Sequence, residues 1–406
     1  MIVKRPLYLD QVHEFVDKPF VKVITGIRRC GKSALMQMLR DELIARGVSG
    51  KRIVSLNFES LAYADYLTVE KLYPYLTGMI SGKERHYIFL DEIQEVEGWE
   101  RLVNSLMVDK DVDLYLTGSN SRLLSSELAT YLAGRYVEIH LFTLSFAEHL
   151  QFLHQTHPDH EVDRYQEFKN YLKLGGFPVL HTFDYPEETA WKIVSDIYSS
   201  ALLRDTVQRF NIRDVELLER VVRFVFDNIG NKFSGKNVAD YFKSQQRKID
   251  QNTVYNYLNA LESAFIIHRI PRYDVRGKEI LKTNEKYFVG DPALVHATMG
   301  YRDRLIGGLL ENIVMLELAR RGYRVFVGKV GDLEIDFIAE KKDEKIYVQV
   351  CFRMGEQSTI DRELKPLLAV RDQYPKYLVT MDENWQGNEQ GIRGMHIADF
   401  LLLGRY

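Results

Sequence analysis

Cysteine is scarce: the 406 residues contain two, Cys30 and Cys351, far apart in the chain. That spacing excludes a disulfide framework and a cysteine-based zinc site, and it fits a reducing compartment. No apolar run approaches the roughly 18 residues that span a bilayer. The opening Met1-Ile2-Val3-Lys4-Arg5-Pro6 lacks the apolar stretch of a secretory leader. A cytoplasmic protein with no membrane partner is therefore expected. Internal repeats and low-complexity linkers are also missing, which excludes solenoids and tethered arrays. A net charge of −3 excludes a generic polyanion binder.

What is there suits a globular chain. Hydrophobic residues make up 46% and charged residues 27%, enough to build large cores at a length that predicts two or three domains. Charge is unevenly spread: between Asn231 and Gly290 there are 11 Lys and Arg against 6 Asp and Glu, a local +5 that leaves −8 for the remainder. Such a stretch suits an anion-facing module, and equally a solvated surface.

Apolar runs alternate with helical periodicity in the first third. Val21-Lys22-Val23-Ile24-Thr25 reads as a strand, followed by a helix with Leu35, Leu39 and Leu43 on one face. Arg52 to Phe58, Tyr87 to Leu90 and Val112 to Leu116 read as further strands. This alternation predicts a mostly parallel sheet with helices on both faces. After about Leu150 the pattern turns helical, with His154 to Asp163 as a polar loop and Gly175-Gly176-Phe177-Pro178 as a tight turn. Short strands return at Tyr323 to Val327, Leu333 to Ala339, Lys345 to Val350 and Lys376 to Val379.

Gly26-Ile27-Arg28-Arg29-Cys30-Gly31-Lys32-Ser33 matches G-x-x-x-x-G-K-[ST]. It follows a strand and, with Ala34, opens a helix, as that motif requires. Backbone N–H groups of such a loop wrap phosphates, and the helix N-terminus adds partial positive charge. Lys32 would reach the β- and γ-phosphates of ATP, and the Ser33 hydroxyl would ligate Mg²⁺. Tyr87-Ile88-Phe89-Leu90-Asp91-Glu92 supplies the complement, an apolar strand ending in two acids. Asp91 would hold the Mg²⁺ shell, and Glu92 would orient and deprotonate water. Leu116-Thr117-Gly118-Ser119-Asn120 ends another strand. Ser119 is the first choice for sensing the γ-phosphate, with Thr117 and Asn120 close behind. Arg135 is the candidate cation for transition-state charge, in cis or from a neighbouring subunit, and Arg204 is a weaker one. Cys30, beside Lys32 and a helix N-terminus, is read in two ways: a thiol of lowered pKa whose modification would block nucleotide binding, or a small residue that only fills the loop.

These motifs, with Gly98-Trp99-Glu100, Gly134-Arg135 and Leu144-Ser145-Phe146-Ala147-Glu148, resemble those of uncharacterised prokaryotic ATPases of the AAA superfamily. Phe233-Ser234-Gly235-Lys236-Asn237-Val238-Ala239 and Glu334-Ile335-Asp336-Phe337 are similar to that family's C-terminal region of unknown function. The resemblance implies an α/β fold: a P-loop NTPase parallel sheet, a helical connector, a winged-helix domain and a small restriction-endonuclease-like C-terminal domain. The corresponding boundaries are 1–145, 146–210, 211–298 and 299–406.

In the middle region, a helix capped by Ser234, a polar turn, a helix from about Asn252 and two strands around Asp274-Val275-Arg276-Gly277-Lys278 follow the winged-helix order. Duplex DNA would contact residues 232–286, with Lys243, Arg247, Lys248, Arg276 and Lys278 on phosphates. The second helix carries Gln251, Asn252, Asn256 and Asn259 but no Lys or Arg, so a protein partner or a second copy of the chain stands beside DNA as an occupant.

In a nuclease of the PD-(D/E)XK type, Glu311 and Asp336 would be two of the acids. Gln349 stands where the next carboxylate belongs and Cys351 where the lysine belongs, with Arg353 as a partial substitute. A neutral amide weakens a hard-cation site, so the fold is expected without the cutting. The combined expectation is an ATP- and Mg²⁺-dependent ATPase driving a DNA- or partner-directed module. The alternatives are a nucleotide-gated scaffold with little turnover and an ATP-dependent DNA-processing nuclease.

Overall fold

The computed structural model describes all residues except 1–2, 81–83, 122–131, 133, 159–161, 184 and 245–248. The chain divides into two units, Met1–Leu141 with Ser263–Phe265, and Phe142–Glu262 with Ile266–Tyr406.

The first unit is built on five strands: β1 (Val21–Thr25), β2 (Ile53–Asn57), β3 (His86–Asp91), β4 (Val112–Gly118) and β5 (Tyr136–His140). All pair in parallel, in the order β2-β3-β4-β1-β5. This is the parallel sheet that the apolar runs predict. Every residue of β1 and β3 is buried, as strands covered on both faces must be. The helix Lys32–Ala45 buries Leu35, Leu39 and Leu43. On the sheet's apolar side Leu56, Ile88, Leu90, Leu114 and Leu116 pack with Leu72, Leu76, Trp99, Leu102 and Leu106 of two further helices. Strand β5 escapes the sequence reading because its short run Tyr136-Val137-Glu138-Ile139-His140 mixes polar and apolar residues without a clear period.

Strand order is what positions the site. β4 lies between β1 and β3, so the C-terminal ends of these three strands stand side by side. In an open parallel sheet, that edge is where ligands bind.

The second unit begins with helices at Phe146–Thr156, Arg164–Leu174 and Glu187–Ser200. The first is closed by a capping box in which Ser145 and Glu148 satisfy each other's backbone N–H groups. It runs to Thr156, so the polar segment expected to be loop from His154 is helical for its first three residues. The helices Gly235–Ser244 and Gln251–Ser263 follow, then the hairpin β6 (Ile267–Asp274) and β7 (Glu279–Val289). The remaining strands are β8 (Arg324–Val330), β9 (Leu333–Lys341), β10 (Glu344–Cys351), β11 (Lys376–Thr380), β12 (Gly387–Glu389) and β13 (Ile392–His396). The hairpin is not a free wing. Arg272, Tyr273 and Asp274 of β6 pair in parallel with Val327, Gly328 and Lys329 of β8. One eight-stranded mixed sheet, β12-β13-β11-β10-β9-β8-β6-β7, therefore runs across position 299.

One buried ion pair braces the first sheet. Lys22, fully buried on β1, pairs with Asp113 on β4. It also donates to Phe20 O at 3.0 Å and lies 4.6 Å from the Tyr115 ring centroid. Asp113 accepts from Tyr115 Oη at 2.8 Å and from Asp17 N at 3.1 Å. Burial pushes the Lys22 ammonium pKa down while Asp113 opposes the shift. Removing one member of such a pair leaves an uncompensated buried charge. Asp113→Ala is expected to destabilise the first unit by about 3–5 kcal/mol in urea unfolding followed by circular dichroism. A loss below about 1 kcal/mol would mean that the pair is dispensable.

Candidate functional site

The loop after β1 depends on backbone conformations that ordinary residues resist. Gly26 has φ 148° and Gly31 φ 107°. A Cβ on Gly26 would lie 2.2 Å from Leu141 O, so only glycine lets the loop leave the strand here. Ile27, Arg28 and Cys30 are buried, while Arg29 is exposed with φ 68°. The loop is tied down from outside: Arg5 Nη1 donates to Cys30 O at 3.1 Å, and Arg28 Nη1 meets Glu59 Oε1 at 2.7 Å. Gly31 caps the helix Lys32–Ala45, whose first turn carries Ser33 and Ala34.

Lys32 is buried and curls back over the loop. Its Nζ donates to Gly26 O at 3.0 Å and Ile27 O at 3.4 Å, and it stands 3.6 Å from Glu92 Oε1. Asp91, the last residue of β3, receives the Ser33 hydroxyl, the Thr117 hydroxyl and, at 3.1 Å, Asn57 Nδ2. Burial raises the Asp91 pKa above the usual carboxylate value, with the Ser33 and Thr117 hydrogen bonds and the Lys32 charge acting against that rise. Glu92 follows in the left-handed region at φ 53°. Such a conformation in a non-glycine residue is held only by its surroundings. Here Thr117 Oγ1 accepts from Glu92 N at 2.9 Å, and Gln94 Nε2 donates to Glu92 Oε2. The second amide atom of Gln94, Oε1, is buried without a hydrogen-bond partner.

The predicted residues thus converge at one sheet edge, with one exception. Gly26, Ile27, Arg28, Arg29, Cys30, Gly31, Lys32, Ser33 and Ala34 form the loop and helix start, and Asp91 and Glu92 face them. Ser119 and Asn120 follow β4 directly and are fully buried. Thr117, ranked behind Ser119 from sequence, is the β4 residue that touches both acids. Arg135 is the exception. Its carbonyl accepts from Val21 N at 2.9 Å, and its Nη2 donates to Asn104 Oδ1 at 2.9 Å. That is the N-terminal edge of the sheet, about 13 Å from the loop across a five-residue strand. Within its own chain, Arg135 is a brace between β5 and the helix Trp99–Asp109. Arg204 is exposed on a π-helical stretch, Ala201–Gln208, of the second unit.

Sequence reasoning missed Asn57 and Gln94. Asn57 is in register with Asp91 on the adjacent strand, a relation only strand order reveals. Gln94 stands two residues past Glu92 and was legible as a short-range partner. The reactive-thiol expectation for Cys30 is overturned. Its side chain is fully buried, and burial raises the thiol pKa despite the nearby Lys32 and Arg5 charges.

In the second unit, Gln251, Asn252, Asn256 and Asn259 share an exposed helix face, and Lys243, Arg276 and Lys278 are exposed. Arg247 and Lys248 lie outside the described residues. Lys232, Arg272 and Lys286 of the basic stretch instead turn towards carboxylates of the C-terminal sheet.

Comparison with known proteins gives the family and the fold. A family described as an AAA domain matches residues 18–150, and a domain of unknown function (DUF8612) matches residues 165–305. An uncharacterized protein of Haemophilus influenzae is 40% identical over 406 residues, covering 99% of both chains. The chain belongs to that AAA-domain family. An uncharacterized protein of Methanocaldococcus jannaschii is 28% identical over 361 residues, 85% of this chain and 77% of its own. Among solved structures, a Walker-type ATPase of Pyrococcus abyssi superposes with a TM-score of 0.51 at 14% identity, over 73% of this chain and 96% of its own. The AAA-type P-loop fold of the first unit is thereby shown, together with a C-terminal α/β region on a mixed sheet. No described helix of this AAA-domain protein is long and apolar enough to cross a membrane.

Both cysteines are shielded. Cys351 is also buried, and its thiol pKa is pushed up to about 11, chiefly by burial. Neither thiol is expected to react with Ellman's reagent at pH 8 in the native protein, and both should react in denaturant. Rapid native labelling of Cys30 would contradict the burial described here.

Proposed function

We propose that this AAA-domain protein binds Mg-ATP at the loop of residues 26–33 and hydrolyses it. The observation that carries the reading is the meeting of Lys32, Ser33, Asp91, Thr117 and Glu92 at one edge of the parallel sheet. The loop suits a triphosphate: Gly26 and Gly31 give it the backbone turns that ordinary residues resist, and the helix Lys32–Ala45 points its positive end at it. Ser33 and Asp91, already hydrogen-bonded to each other, are a hydroxyl and a carboxylate, the donor pair that suits Mg²⁺. When bound there, the ion would neutralise charge on the phosphate oxygens.

Glu92 is the proposed general base, acting on water in line with the γ-phosphate. In the nucleotide-free arrangement its carboxylate shares the Lys32 ammonium and the Gln94 amide. Phosphate oxygens arriving at Lys32 would compete for that ammonium and release the carboxylate for water. Thr117 is the proposed positioning residue, because one hydroxyl serves both the Asp91 carboxylate and the Glu92 backbone. Ser119 would sense the γ-phosphate. Arg135 enters this reading only if delivered by a second copy of the chain.

The output is proposed to act on duplex DNA or a protein partner through residues 232–286. The exposed amide-rich face of Gln251–Ser263 and the exposed Lys243, Arg276 and Lys278 support a polar, anion-tolerant surface. The buried acid–lysine pair at the loop weighs against a scaffold that merely holds nucleotide.

Turnover assays test the reading. Lys32→Ala is expected to abolish ATP hydrolysis through lost binding. Glu92→Gln should keep binding while turnover falls by about 10²–10⁴-fold. Unchanged turnover in both variants would defeat the catalytic assignment. Thr117→Val should lower turnover by about 10–100-fold with little change in KM. Stimulation of the wild-type rate by duplex DNA would favour the DNA reading, and its absence the protein-partner reading.

A further inference from the structure

In the second unit, three elements bring four ionisable side chains to one buried point. Lys286 comes from β7, Glu311 from the helix Ile306–Arg320, and Glu334 and Asp336 from β9. The Lys286 Nζ stands 3.1 Å from Glu311 Oε2, 3.0 Å from Glu334 Oε1 and 3.6 Å from Asp336 Oδ1. Its side chain is only 4% exposed. Glu334 reaches outward as well, to Lys232 Nζ at 3.0 Å and Arg272 Nη2 at 3.9 Å. Asp336 Oδ2 accepts from Val350 N at 2.9 Å.

Glu311 and Asp336 are the acids that a nuclease-like domain would use to hold a divalent ion. Their surroundings do not suit one. A small hard cation needs carboxylate oxygens at about 2.0–2.1 Å, and those oxygens already converge on an ammonium. Gln349, at the position of the missing carboxylate, is committed elsewhere. Its Nε2 donates to Glu363 Oε2 at 2.9 Å, and its Oε1 accepts from Asp336 N at 3.3 Å. Arg353 does not replace the lost lysine: it is exposed and stacks on Phe352, with its guanidinium 5.0 Å from the ring centroid.

We infer that Lys286 is a resident cation, standing where a nuclease would carry its metal, and that it closes the Glu311–Glu334–Asp336 centre to divalent ions. Three positive side chains, Lys232, Arg272 and Lys286, face three carboxylates, Glu311, Glu334 and Asp336, so the cluster is charge-balanced without a metal. The same ammonium ties the β6–β7 hairpin to the sheet beyond it. The centre is thus an ionic joint between the hairpin and the nuclease-like core. It also accounts for part of the basic excess between Asn231 and Gly290, since three of those cations are spent internally.

The test is Mn²⁺ binding to the full chain without nucleotide, followed by electron paramagnetic resonance. Wild type and Asp336→Asn should bind Mn²⁺ identically. Lys286→Met, removing the charge while keeping bulk, should gain one site, with affinity at least about tenfold above any wild-type binding. Lys286→Met combined with Asp336→Asn should lose that gain. A wild-type Mn²⁺ site that Asp336→Asn abolishes would overturn the inference. So would a folded Lys286→Met protein that gains no site. If Lys286→Met does not fold, the wild-type and Asp336→Asn comparison alone decides.

Discussion

The hydroxyl of Thr117 is the interaction on which the candidate site depends. It donates to the Asp91 carboxylate and accepts from the Glu92 backbone, so one side chain sets the positions of both acids. This is achievable only because β4 runs between the strand that leads into the loop and the strand that ends in the acids. An order that took β4 away from β3 would separate these groups by at least one more strand spacing, about 4.8 Å, and break the hydrogen bonds. The left-handed Glu92 is the cost of this arrangement, and Thr117, Gln94 and Lys32 together hold it.

Buried charge is handled in three ways in this one chain. Lys22 and Asp113 form a closed pair in the first sheet, with no room for a ligand and a structural role. Lys32 is held by loop carbonyls and a carboxylate that phosphate oxygens can replace, so its pairing is provisional. Lys286 is surrounded by three carboxylates, and its pairing excludes competitors. The difference lies in what else can approach. Lys32 sits at a sheet edge beneath a glycine-lined loop, whereas Lys22 and Lys286 are enclosed by strands.

Much of the first unit was legible in the sequence. Fully buried strands read as short apolar runs, and the G-x-x-x-x-G-K-[ST] spacing names its own structure. The acids were legible only because the same chain carries the phosphate-loop motif; alone, two carboxylates after a strand read as a solvated strand end. The rest depended on pairing that a linear pattern does not carry. Asn57 and Thr117 matter because of which strands lie next to β3, and Arg135 is remote because β5 runs parallel to β1 and begins at the far edge. The Cys30 expectation considered neighbouring charge but could not weigh complete burial. In the second unit, a helix–turn–helix–hairpin order was readable. That the hairpin joins the C-terminal sheet was not, since β6 and β8 are separated by about fifty residues. Lys286 was counted as part of a basic surface because its three partners lie on other elements.

Calorimetric titration with a non-hydrolysable ATP analogue and Mg²⁺ tests the central claim most directly. The account predicts one binding site per chain in wild type and in Glu92→Gln, and none in Lys32→Ala. Absence of binding in wild type, or binding untouched by Lys32→Ala, would contradict it.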